Sequence, residues 1–132
     1  MTENRQPTHV RCFKDLQVYQ VAFESAMRIF ELSRNWPKED KYSLTDQIRR
    51  SSRSVCGNIA EAWRKRRYPA HFVSKLSDSD AEAAETEVWL SFAFQCHYIQ
   101  EKEFKELTDN CDHVCRMLTR MMAQPDSWCK KR

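Results

Sequence analysis

A chain of 132 residues with one glycine, four prolines and 31% charged side chains holds one core and too few turn formers for a sheet protein, so an all-α domain is expected. Its net charge of +3 selects no partner class by itself. No apolar run nears the roughly 18 residues of a membrane span, and the N-terminus lacks a signal-peptide core, which excludes a spanning protein and makes the cytoplasm the expected location.

Residues 1–12 are polar and contain Pro7, as in a flexible arm. The first predicted helix starts at Asp15, an N-cap candidate, and runs to about Asn35. Leu16, Tyr19, Phe23, Met27 and Phe30 form its apolar stripe, widened by Val18, Ala22, Ala26 and Ile29. Trp36-Pro37 ends it, because the residue before a proline is pushed out of helical geometry. The second helix is expected from Ser43 to about Arg66 along Leu44, Ile48, Ser52, Val55, Ile59 and Ala62. Gly57 sits among Ser51, Ser52, Ser54 and Ala60, and its cost inside a helix suggests a close-packed neighbour.

Pro69 suits the first turn of a third helix reaching about Tyr98. From Glu101 a fourth helix places Phe104, Leu107, Cys111, Val114, Leu118 and Met121 on one seam. Four such helices with short connections pack as an antiparallel up-down-up-down four-helix bundle over residues 13–124, followed by a basic C-terminal tail at 125–132. The six cysteines, lying mostly within helical patterns, read as reduced thiols and small core residues.

Charge is unevenly spread. Between Arg49 and Arg67 seven basic residues face only Glu61, whereas Asp78, Asp80, Glu82, Glu85 and Glu87 face no base between Ser77 and Glu87. Arg49, Arg53, Arg64, Lys65, Arg66 and Arg67 are the candidates for RNA or DNA contact, with Trp63 and Tyr68 as neighbouring rings for base stacking. An ordinary solvated helix face is the competing reading, and Trp63 fits core or subunit interface equally well. Arg50, Asn58 and Glu61 are expected to form a structural polar network with Glu85 or Glu87 of the third helix.

The stretches Phe13-Lys14-Asp15-Leu16-Gln17-Val18-Tyr19, Leu44-Thr45-Asp46-Gln47-Ile48-Arg49-Arg50 with Asn58-Ile59-Ala60-Glu61, and the Glu-x-Glu of Glu85 and Glu87 resemble the 23S ribosomal RNA intervening-sequence proteins. The family usually carries proline at Cys56 and glycine at Ala62. The resemblance implies a four-helix bundle assembled into a homo-oligomer, a pentameric ring, with a binding role: related proteins are encoded in ribosomal RNA insertions, and distant relatives assist reverse transcriptases through basic surfaces. It carries over no catalytic residue.

Other chemistry finds little support. Cys111 and Cys115 share a helix face, but His113 points away, so core packing is preferred to metal binding. The Glu-x-x-His of di-metal bundles is absent, as are phosphate-binding glycine loops and a catalytic Ser, His and Asp grouping. The expectation is a protein without enzymatic activity or cofactor, which self-associates and binds nucleic acid. The alternative is a protein–protein scaffold using the acidic third helix or the Trp89–Phe94 stretch, and Val18, Ile29, Trp89 and Phe92 are the expected subunit contacts.

Overall fold

The computed structural model describes residues 9–129. Four helices carry the fold: α1 (Gln17–Ser33), α2 (Asp46–Arg64), α3 (Pro69–Gln95) and α4 (Glu101–Ala123). Two halves of the core show how they run. One half joins Leu16, Val18 and Ala22 from the start of the chain to Ile59 and Ala62 late in α2, Phe72 and Leu76 early in α3, and Leu118 and Met121 late in α4. The other joins Ile29, late in α1, to Ile48, Leu90 and Leu107. Successive helices therefore alternate in direction, α1 packs on α2 and α4, and α3 occupies the opposite corner.

Local chemistry sets the helix ends. Phe13–Asp15 is a short 3-10 turn in which the Asp15 carboxylate accepts the Arg11 N–H at 2.8 Å, so α1 begins after Asp15 and not at it. A π-helical turn at Lys41–Thr45 precedes α2, which then runs unbroken through buried Cys56 and Ala62. Pro69 opens α3 with extended Tyr68 before it, as proline's restriction on its predecessor requires. At the far end of α3, His97 takes a left-handed φ of 63° while the Tyr98 N–H donates to the Ala93 carbonyl at 2.8 Å. These are the contacts of a helix-terminating Schellman turn, made here without glycine.

Three expectations are corrected. The α1 stripe is rotated: Val18, Ala22, Ser25, Ala26 and Ile29 form the buried face, leaving Phe23 49% and Met27 45% exposed. The residues on that face are small, and a small pocket lies against Ala22, Ser25 and Ile29. Val18 and Ile29 are thus core and not subunit contact, whereas Phe92 stays 55% exposed. Gly57 has no neighbour within 4 Å of where its Cβ would stand, so no close packing inside the chain explains it. Pro125–Ser127 forms a 3-10 turn and Cys129 is buried on the core, while residues 1–8 of the expected arm and residues 130–132 of the tail lie outside the described residues.

Candidate nucleic-acid interface

Each expected cation sits in its own surroundings. Arg49 is turned along the protein: its Nε donates to the Ser33 hydroxyl oxygen at 2.9 Å and Nη2 to the Phe30 carbonyl at 3.5 Å, in the last turn of α1. Arg49, Arg53 and Arg34 all stand over the Phe30 ring, 4.7, 5.8 and 5.7 Å from its centre. Arg66 lies 3.6 Å from the centre of the Trp63 ring and donates to the Trp63 carbonyl at 2.8 Å. Trp63 is itself buried beneath it, so its ring is not open to a ligand, and Arg66 is half-buried. These contacts make Arg49 and Arg66 structural groups.

Arg64, Lys65 and Arg67 remain, together with Arg53, which is exposed on α2 and meets only the Phe30 ring. The first three are all exposed, Arg64 as the last residue of α2 and Lys65 and Arg67 in the turn to α3, and among the described residues none forms an ion pair. The nearest acid in sequence, Glu61, is held by Lys75 of α3 at 2.8 Å. Antiparallel packing adds exposed Arg11 and Lys14, just before α1, and exposed Arg120, in the last turn of α4, to this end of the bundle. Sequence reasoning missed these three because only helix direction brings them near the turn. At the other end Arg28 pairs with Glu103 and Glu106 at 4.0 and 3.9 Å and Lys41 with Asp46 at 3.5 Å, while exposed Lys38, Lys102 and Lys105 form no ion pair among the described residues. That end also holds Glu31, Glu39, Asp40 and Glu101, so its cations are interspersed with acids and the excess of positive charge lies at the α2–α3 turn.

The expected polar network divides. Arg50 reaches Glu85 through Nη2 and Glu82 through Nη1 at 3.4 Å, a pairing across α2 and α3 in which Glu82 was not foreseen. Asn58 donates instead to the Ser54 carbonyl of its own helix at 2.9 Å, Glu61 belongs to Lys75, and Glu87 lies on the other side of α3. Residues two apart on a helix point about 200° away from each other, so Glu85 and Glu87 live in opposite settings. The Trp89 indole N–H and the Arg50 guanidinium hold the Glu85 carboxyl below its usual range. Burial and the neighbouring Asp112 carboxyl push Glu87 up to about 7. The acidic block of α3 thus forms no single acidic surface: Glu82 and Glu85 turn to α2, and Asp80 and Glu87 turn to α4.

Burial, with Glu87 next, pushes the Cys111 thiol up to about 12, and burial, with Asp80 next, does the same to Cys115. Both are protonated at neutral pH and are poor metal ligands or nucleophiles in that form. Among the described residues no three His, Cys, Asp or Glu side chains converge to hold a metal ion, and no helix is long and apolar enough to cross a membrane. The partly open pocket at the waist, about 20 Å³ and bounded by Ser25, Ser52, Thr86 and Val114, is too small for a metabolite.

Comparison with protein families matches residues 14–120 to the model of the 23S rRNA-intervening sequence protein. The chain belongs to that family. Among solved structures it is similar to a protein of unknown function from the S23 ribosomal protein family of Bacteroides thetaiotaomicron. The identity is 29%, the TM-score 0.72, and the match covers 80% of this chain and 95% of that one. Comparison with curated proteins returned no match. The 23S rRNA-intervening sequence match runs from before α1 into the last turn of α4, so the exposed Arg64, Lys65 and Arg67 lie inside the matched region.

Proposed function

We propose that this family member is a cytoplasmic, non-enzymatic protein that self-associates and serves as a nucleic-acid-binding accessory, holding RNA or DNA at its cationic end. The observation that supports this reading is the group Arg64, Lys65 and Arg67, exposed without counter-ions in one run, whereas the cations of the opposite end stand among Glu31, Glu39, Asp40, Asp46, Glu101, Glu103 and Glu106. Unpaired surface cations attract a phosphate backbone by releasing its condensed counter-ions. Self-association is supported by two different exposed apolar faces, Phe23 with Met27 on α1 and Val88 with Phe92 on α3, at opposite corners of the bundle. Two unlike faces favour a head-to-tail contact, which closes into a ring when the rotation allows; the pentamer implied by family resemblance is such a ring. No cofactor enters this reading.

The test is binding to labelled RNA and DNA across a salt series, with Arg64→Gln, Lys65→Gln and Arg67→Gln combined as the comparison. Steep salt dependence is expected, with the slope of log affinity against log salt falling by about 2 to 3 in the variant. Absence of binding at low salt overturns the proposal. A protein–protein scaffold is the second reading, favoured by the exposed Val88 and Phe92; it requires partner capture that survives nuclease treatment and is lost in Phe92→Asp.

A further inference from the structure

Beside the three free cations stands one exposed ring. Tyr68 is 56% exposed and its ring centre lies 5.5 Å from that of His71, tilted by 45°. Its backbone is fixed on both sides: the Tyr68 N–H donates to the Lys65 carbonyl at 2.9 Å, and its own carbonyl accepts the Phe72 N–H at 2.9 Å. Pro69 follows at the first helical position of α3, which holds Tyr68 in extended geometry, at φ −122° and ψ 98°. The ring is therefore presented from a rigid turn, and a tyrosine has few torsions to immobilise when a ligand lands on it. Trp63, the other aromatic residue of this stretch, is covered by Arg66 and offers no face.

We infer that Tyr68, with His71 at its side, is a base-stacking platform, and that the nucleic acid this end selects is single-stranded. The inference rests on the nucleic-acid reading above and narrows it to one substrate class. Arg64, Lys65, Arg67 and Tyr68 fall within five consecutive residues, so their Cα atoms span at most about 14 Å, the reach of a few nucleotides. Over that distance the cations meet successive phosphates while the ring meets a base. A base in a duplex has both faces covered by its neighbours, so Tyr68 finds a partner only where bases are unstacked. Duplex binding uses the cations alone and gains nothing from the ring.

The experiment measures fluorescence anisotropy at low salt with a labelled, non-self-complementary RNA of about 12 nucleotides, a DNA of the same sequence, and the blunt duplex of each. The proteins are the full chain and its Tyr68→Ala, Tyr68→Leu and Tyr68→Phe variants. The expected result is tighter binding of both single strands than of either duplex, with Tyr68→Ala and Tyr68→Leu weakening the single strands about tenfold and leaving the duplexes unchanged. Tyr68→Phe, which keeps the ring, stays within about twofold of the parent chain. Unchanged single-strand affinity in Tyr68→Ala and Tyr68→Leu, or an equal loss on duplex, overturns the inference. If the triple glutamine variant of Arg64, Lys65 and Arg67 loses binding while these Tyr68 variants do not, the stacking platform falls and the cationic site stands. If that triple variant binds like the parent chain, the nucleic-acid reading itself falls, and the platform with it.

Discussion

Arg64 and Arg66 are two residues apart and chemically identical, yet the fold gives them different work. Arg66 is stacked on Trp63 beside buried Cys129, so its aliphatic stem and guanidinium seal the end of the core. Arg64 projects into solvent and forms no ion pair among the described residues. Arg66→Gln is therefore expected to lower unfolding free energy by about 1 to 2 kcal/mol through the lost stack and hydrogen bond, whereas Arg64→Gln stays within about 0.5 kcal/mol. Chemical denaturation of the two variants checks this, and equal losses would contradict the assignment. The run Arg64-Lys65-Arg66-Arg67 read as one basic cluster in the sequence, because nothing in four adjacent cations reveals which of them an indole will capture.

At the scale of helices, α3 carries two neighbouring carboxyls with opposite responses to pH. Glu85 is held ionised by Trp89 and Arg50, so its contribution is present above the unfolded carboxyl range and is lost as pH falls. Glu87 has the reverse sign. Its pKa is raised to about 7 by burial and by Asp112, with Asp80, Cys111 and Cys115 also facing the α3–α4 seam, so its favourable contribution is complete below the unfolded carboxyl pKa and is lost as pH rises through about 7. Glu87→Gln should remove that loss and raise stability at pH 8 relative to the parent by about 1 kcal/mol, a figure already reduced for solvent screening. Thermal melts between pH 5 and pH 8 read it directly, and parallel curves for the two proteins would refute it. Gly57 offers a second check on α2. With open space where its Cβ would stand, Gly57→Ala should stabilise the helix by about 1 kcal/mol, measured under conditions where the protein is monomeric.

The whole molecule presents an uncompensated cationic end and two apolar faces set at opposite corners. If those faces meet head to tail, changing either one breaks the assembly. Phe23→Asp on α1 and Phe92→Asp on α3 are each expected to shift the mass measured by light scattering to that of a monomer, while helical content stays at the parent value because both side chains are about half exposed already. A parent chain that is monomeric at micromolar concentration would dismiss self-association outright. The affinity for nucleic acid should fall with the mass in these variants, since cationic ends that are held together act at high effective concentration.

Much of this architecture is written in residue spacing. The apolar steps of α2 and α4, the proline that opens α3 and the scarcity of glycine dictate four amphipathic helices, because helix periodicity depends on local chemistry alone. Spacing could not say which side of α1 turns inward: Val18, Ala22 and Ile29 compete with Tyr19, Phe23 and Met27 for the core, and packing beside Ser52, Ala83 and Val114 decides for the smaller set. Nor could it separate Arg66 from Arg64, bring Arg11, Lys14 and Arg120 to the α2–α3 turn, or divide Glu85 from Glu87 between two neighbouring helices. A side chain's partner depends on which elements lie against it, and that is settled only when the helices pack.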